Sequence, residues 1–371
     1  MDTADRRHTL LVDTLVRAGA LRDPRLTAAF RAVPRHLFVP AAGVLTAHGI
    51  ELDAATARDR WLTAVGTDEA LLGRFGGAPS PIGPAPSAAA RALEAAAPHD
   101  GHRVLEAGTG TGWVTALLAT RLGDGAVTTV ESDPALLTAA RAALARAHRA
   151  PAAVLGDPAC GHPAAAPYDR VLATRPAARV PAAWIAQTAP GGAVVLPWAA
   201  ADGRGVLVRL DVPGDGTAAG RFLDGPGAVS PGGRAMAVEP PFPTDAWADE
   251  THRVTGDPVA ALTDGASLFP LSFMVPSWRV GTHRFGGVRG LWLASHDGAS
   301  WARVRPYGDQ WAVEQGGPRS LWDEVDAARE EWERLGRPRP DRFGLTVTAD
   351  GRHRVRLDAP DGAAWELPAA T

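Results

Sequence analysis

Residues 104–113 read Val-Leu-Glu-Ala-Gly-Thr-Gly-Thr-Gly-Trp, and no other stretch restricts the possible folds of this chain as strongly. An apolar pair comes before three alternating glycines, and a helix-like segment follows. Alternating glycines let a backbone turn sharply and pass close to a ligand. The free amides at the start of the following helix add hydrogen-bond donors. Such a strand–turn–helix unit belongs to a parallel sheet whose ligands sit at the carboxyl ends of the strands.

The surrounding pattern agrees. From Arg103 to about Leu210, short apolar runs (104–105, 127–130, 153–155, 171–173 and 193–196) alternate with helix-like stretches, and residues 204–210 read as a late strand. This alternation predicts an α/β, mainly parallel sheet covered on both faces. Asp133 is placed to cap the helix after Glu131, with Pro134 in its first turn. Ahead of this region, residues 1–86 read as helices and a proline-rich loop, residues 79–86 (Pro-Ser-Pro-Ile-Gly-Pro-Ala-Pro). The spacing assigns 87–235 to the sheet domain, with a linker near 235. Residues 236–371 form an added C-terminal α+β domain with short strands, a helix over 320–335 and a hairpin turning at Asp350-Gly351.

Glu131 lies 19 residues beyond Gly112, at the end of the next predicted strand. A carboxylate there can hold both hydroxyls of a ribose. Two features weigh against a dinucleotide. The glycines run G-x-G-x-G, and bulky Trp113 follows where a pyrophosphate would need room. Glu106, two residues before the first glycine, suits a cationic ammonium better than a phosphate. Both favour S-adenosyl-L-methionine. Gly156-Asp157, at the end of the third strand, completes the set.

Other classes are disfavoured by composition. The formal net charge of −3 gives no reason to expect nucleic-acid binding, and no apolar run is long enough to span a bilayer. The single cysteine, Cys160, excludes an internal disulfide framework and multi-cysteine metal sites and reads as inert. The histidines show no ligand spacing, so no metal is expected. The N-terminal stretch lacks the features of a secretory signal, which makes a cytoplasmic location the expectation.

Residues 32 to about 210 resemble the protein-L-isoaspartate O-methyltransferase family. The likeness lies in Ala-Val-Pro-Arg-His-Leu-Phe-Val-Pro (32–40), the glycine segment, Val130 to Pro134, Gly156-Asp157, Ala166 to Arg170 and Pro190-Gly191-Gly192. It implies a Rossmann-like class I methyltransferase fold, with Gly108, Thr109, Gly110 and Gly112 as the cofactor loop. It also implies that Glu131 holds the ribose and Asp157 reads the adenine amino group.

One departure stands out. Where the family's substrate loop carries T-[IL]-S-Q-P, this chain has Ile82-Gly83-Pro84-Ala85-Pro86, which removes a hydroxyl and an amide. Ser80 and Ser87 are the nearby hydroxyls, and Arg175, after the fourth strand, is a candidate to grip an acidic peptide. The segment 59–71 and the C-terminal extension resemble actinobacterial relatives that methylate aspartates in ribosomally made modified peptides. The expected partner is therefore a peptide or protein, including a cyclic modified precursor peptide. Three readings stay open: a peptide-maturation methyltransferase, an isoaspartyl repair enzyme, and a non-catalytic cofactor- or peptide-binding protein.

Overall fold

The computed structural model describes residues 3–46, 49–75, 80–199, 201, 203, 205–223, 240–243, 247–263, 267–285, 287–359 and 361–367. The linker expected near 235 lies outside the described residues.

Helices α1 (Thr3–Arg17) and α2 (Pro24–Ala32) open the chain, α2 capped by Asp23, which accepts from the Arg25 and Leu26 amides. A small antiparallel sheet follows, built from β1 (Val44–Leu45), β2 (Glu51–Leu52), β3 (Leu71–Gly73) and β4 (Ser80–Gly83), with α3 (Arg58–Val65) between β2 and β3. The proline-rich stretch, expected to be a loop, thus supplies a strand. Its prolines are tolerated because β4 is an edge strand, where a missing N–H leaves no ladder bond unmade.

Helix α4 (Pro86–Ala96) leads into the main sheet. Strands β5 (Val104–Ala107), β6 (Val127–Glu131), β7 (Ala152–Leu155), β8 (Tyr168–Ala173) and β9 (Thr188–Ala199) run parallel in the order β7-β6-β5-β8-β9. Helices α5 (Trp113–Leu122), α6 (Pro134–Arg146) and α7 (Ala182–Ala186) connect them. Asp133 caps α6 as expected, accepting from the Ala135 and Leu136 amides. Leu105 and Val171 point into one buried cluster while Val104 and Leu172 point into the other, which is how both faces come to be covered. Antiparallel β10 (Gly205–Val212) and β11 (Ala218–Phe222) extend the sheet past β9.

The C-terminal part divides. Strands β12 (Glu250–Val254), β13 (Trp278–Phe285), β14 (Val288–Ser295), β15 (Trp301–Tyr307) and β16 (Gln310–Gly316) form a separate antiparallel sheet in the order β12-β16-β15-β14-β13. Helices α8 (Pro258–Thr263), α9 (Leu268–Met274) and α10 (Leu321–Arg334) accompany it. Leu321, Val325 and Ala328 of α10 share a buried cluster with Leu291, Leu293 and Val304 of that sheet.

Strands β17 (Phe343–Val347), β18 (His353–Leu357) and β19 (Ala364–Leu367) go elsewhere. Strand β17 pairs with β11, so the main sheet has ten strands among the described residues. An added domain spanning 236–371 as one unit is therefore corrected: its last hairpin belongs to the main sheet. Pairing there satisfies the β11 edge, which would otherwise present a row of open backbone groups. It also buries Phe343, Leu345 and Val355 with Val208 and Phe222. Helix α9 bridges the two cores, with Leu268 and Leu271 facing one and Phe269 and Phe273 the other.

Candidate active site

A cavity of about 220 Å³ opens at the carboxyl ends of β5 and β6. Its floor is the glycine segment. Gly108, Gly110 and Gly112 all have positive φ, of 97°, 57° and 89°. At Gly110 the requirement is also steric, because a Cβ there would lie 2.9 Å from the Ile82 carbonyl oxygen. That carbonyl accepts from both the amide and the hydroxyl of Thr111, each at 3.0 Å, so β4 is clamped directly onto the glycine turn. Gly112 takes the left-handed cap position of α5.

Two carboxylates define the chemistry. Glu131 is 4% exposed and held by three amides: Gly110 donates to Oε2 at 3.0 Å, while Ser132 and Asp133 donate to Oε1 at 2.9 and 3.1 Å. Glu106 is wholly buried and also lines the cavity. Its Oε2 accepts from the Thr115 hydroxyl, but its Oε1 has no partner among the described residues. Burial pushes its pKa up to about 8, opposed by hydrogen bonds from Thr115 and Thr129 and reinforced by the nearby Glu131 charge. A buried carboxylate oxygen without a donor fits a cation supplied by a ligand.

Thr109 turns its hydroxyl to Thr129 at 2.7 Å. Trp113 edges the cavity but is 6% exposed, donates to the Val33 carbonyl and packs edge-on against Phe30, which makes it core. Gly156 is tied to β6 by its amide, which donates to the Glu131 carbonyl. Asp157 is exposed and caps a short turn by accepting from the Ala159 amide. Neither Gly156 nor Asp157 is among the residues lining the cavity.

The lining is completed by Pro81, Ile82, Gly83 and Pro84 from β4 and the residue after it, and by Thr174, Arg175, Pro176, Ala199 and Gly203 from the segments after β8 and at the end of β9. Arg175 is brought to the cavity, with its Cδ 3.9 Å from the place a Gly108 Cβ would occupy. Ser87 is not: it sits in the first turn of α4, its amide donates to Asp68, and it does not line the cavity. Strand β4 carries Ser80, whose side chain lies outside the described part.

Reading residues alone missed Arg35 and Thr115. Arg35 lies in the Pro34-Arg35-His36 run, is 4% exposed, and donates to the carbonyls of Val65, Thr67 and Glu69, fastening the segment before β3 beside the cavity. Burial lowers its pKa to about 10, with Asp68 and Glu69 opposing the shift. Only the unusual burial of an arginine could have flagged it, and burial is not written in a sequence.

Five parallel strands with a G-x-G-x-G turn after the first, a buried Glu106 two residues ahead of it and an acidic residue ending the second have the architecture of a class I methyltransferase. Comparison with known proteins narrows the class. The family profile of protein-L-isoaspartate(D-aspartate) O-methyltransferase matches residues 78–223. A protein-L-isoaspartate O-methyltransferase 1 from Anaeromyxobacter sp. (strain Fw109-5) is 39% identical over 203 residues, covering 54% of this chain and 84% of that protein. One from Methylorubrum extorquens (strain PA1) is 35% identical over 215 residues, covering 56% and 80%. A solved protein-L-isoaspartate O-methyltransferase structure superimposes with a TM-score of 0.53 at 19% identity, covering 95% of this chain and all of that one, and so shares the fold. The chain belongs to the protein-L-isoaspartate O-methyltransferase family. It is a carboxyl O-methyltransferase that uses S-adenosyl-L-methionine. Among the described residues no group of histidine, cysteine and acidic side chains is arranged to hold a metal, and no helix is long and apolar enough to cross a membrane.

Proposed function

We propose that the chain methylates an aspartyl or isoaspartyl carboxylate within a specific peptide or protein, in the maturation of a ribosomally made, modified peptide rather than in general repair. One observation carries this reading. The polar groups for the cofactor are in place in the cavity, whereas its lining at Pro81 to Pro84 offers no side-chain hydrogen-bond donor and Arg175 is the charged donor that shares the cavity with it.

The residues suit the cofactor. Glu106 Oε1 would take the methionine ammonium, and Glu131 would hold the ribose while its three amide bonds keep it oriented. When bound, S-adenosyl-L-methionine supplies an electrophilic methyl group on a sulfonium. Everything else falls to the chain. The acceptor carboxylate is already ionised at neutral pH, with a reference pKa of about 3.9, so no general base is required. Arg175 would hold one carboxylate oxygen and leave the other free to attack. Ion pairing also lowers the nucleophilicity of that carboxylate, so Arg175 contributes to acceptor binding rather than to the chemical step. Pro84 and Ile82, both buried, would keep water from the reacting atoms. Alignment of two reactants is worth roughly 7–11 kcal/mol, enough to dominate a reaction with no proton to move.

A general repair enzyme recognises little beyond the isoaspartyl group, so it depends on hydrogen bonds along this lining. Two missing bonds to a charged group, at about 1.5–3 kcal/mol each, would cost ~10²–10⁴-fold in transition-state binding. A dedicated enzyme recovers that loss through contacts along a larger partner. The test is transfer of labelled methyl from S-adenosyl-L-methionine to an isoaspartyl hexapeptide, with a broad repair enzyme as control. Negligible turnover is expected. Turnover matching the control would return the chain to the repair class.

A further inference from the structure

Two stretches beside the cavity, the loop that follows Thr174 to Pro176 and the one holding Ala201 near Ala199 and Gly203, each receive a hydrogen bond with a residue beyond the region that matches the family profile. The Ala201 carbonyl accepts from the Val280 amide at 3.1 Å, on the edge strand β13. The loop after β8 is fixed twice. Ala177 bridges to Trp198: its amide donates to the Pro197 carbonyl and its carbonyl accepts from the Ala199 amide, both at 3.0 Å. Three residues on, the Val180 amide donates to Nε2 of His353 at 2.9 Å.

His353 opens β18, is 2% exposed and lies against the Trp198 ring, 6.0 Å between centroids. Because Nε2 accepts, the ring proton belongs on Nδ1, which lies 3.0 Å from the Gly351 carbonyl it can donate to. The Arg179 guanidinium, 3.5 Å from Nδ1, cannot donate to that protonated nitrogen and disfavours a second ring proton. Burial, the largest cause, and Arg179 both lower the imidazole pKa, so the ring is neutral and able to accept at neutral pH. A buried backbone amide whose acceptor is an imidazole from a strand over 170 residues away is a costly arrangement to break, since that amide has no water to turn to.

We propose that His353 is a positioning residue for the acceptor rim: through the Val180 amide it holds the loop 174–180 so that Arg175 faces the acceptor. This rests on the reading of the Arg175 side as the acceptor end. It assigns the last hairpin a part in the reaction, although that hairpin reaches neither the cofactor residues nor the cavity.

The experiment compares His353→Asn with His353→Gln in the full chain, saturated with S-adenosylhomocysteine. Glutamine can place an acceptor oxygen near the Nε2 position, whereas asparagine is too short, and both are polar. By hydrogen exchange, His353→Asn should speed exchange across 176–180 at least about tenfold while the glycine turn at 108–112 is unaffected, and His353→Gln should stay within about threefold of wild type. With a methyl-accepting partner, the acceptor KM of His353→Asn should rise about tenfold, with kcat changed less than about threefold and cofactor affinity unchanged. Equal exchange in the two variants, or loosening of 108–112 in step with 176–180, overturns the assignment. Should neither variant fold, the wild-type Val180 amide decides: protection equal to that of the β8 and β9 amides supports the tether, and exchange like a surface amide overturns it. If wild type transfers no methyl while exchange behaves as expected, the carboxylate-acceptor reading fails and the tether stands.

Discussion

The two ends of the cavity are built by different means. At the end proposed for the cofactor, backbone and buried carboxylates set the shape: three positive-φ glycines and Glu131 held by three amides, with the Ile82 carbonyl joining this turn to the β4 segment. At the end proposed for the acceptor, the lining is apolar along β4 and includes an exposed arginine on a loop that a distant hairpin also fastens. The first end leaves little freedom, because each part constrains the next. The second can change its partner by changing a few side chains or the region beneath them.

The contrast is open to direct attack, and the largest effect should come at the glycine turn. Gly110→Val places a branched side chain at φ +57° against the Ile82 carbonyl. Binding of S-adenosylhomocysteine, followed by calorimetry, should weaken by at least about 100-fold, combining backbone strain with overlap. Near-wild-type affinity would show that the turn is not the cofactor floor.

Glu106→Gln tests the charge of the buried carboxylate. Cofactor affinity at pH 7 should drop by about 10–100-fold, the worth of a charged hydrogen bond. Wild type should release close to one proton on binding at that pH, because the ligand's ammonium stabilises the ionised form of a group otherwise poised at about 8. The substitution should abolish this release, which titration in buffers of different ionisation enthalpy would read. The same group sets a stability trend in the ligand-free protein. With a folded pKa of about 8 against a model value of 4.5, the stability it contributes is fully present below about 4.5 and is lost as pH rises toward 8. Glu106→Gln should flatten that slope and raise the melting temperature at pH 8 by roughly 5 °C.

A smaller and more selective effect is expected at the other end. Arg175→Ala should raise the acceptor KM by about tenfold with kcat nearly unchanged, and should leave S-adenosylhomocysteine binding alone. A loss of cofactor affinity in this variant would erase the distinction between the ends. Least of all should follow from Ser87→Ala, within about twofold in every constant, since Ser87 does not line the cavity.

The parallel half of the main sheet was legible because its determinants are local. Alternating apolar runs mark strands buried on both faces, Asp133-Pro134 marks a helix start, and a G-x-G-x-G run after an apolar pair marks the turn. The carboxylates Glu106 and Glu131 followed from their offsets to that turn. The β4 strand was missed because four prolines in eight residues outweigh a weak edge pairing in any local reading. The hairpin at 343–357 was recognised as a hairpin but given to the wrong sheet. Alternation says that one face of a strand is buried, not against what.

What the residues alone determined is therefore the glycine turn, the carboxylates Glu106 and Glu131 beside it and the strands that carry them, because a backbone turn, a cap and a carboxylate at the tip of a strand are specified within a few residues of one another. Which hydroxyls reach the cavity, which arginines are buried, and that His353 meets the Val180 amide depend on segments up to 173 residues apart. Such meetings are set by how the apolar faces of β11, β17 and α9 pack together, and no sequence offset encodes the distance between two side chains on different elements.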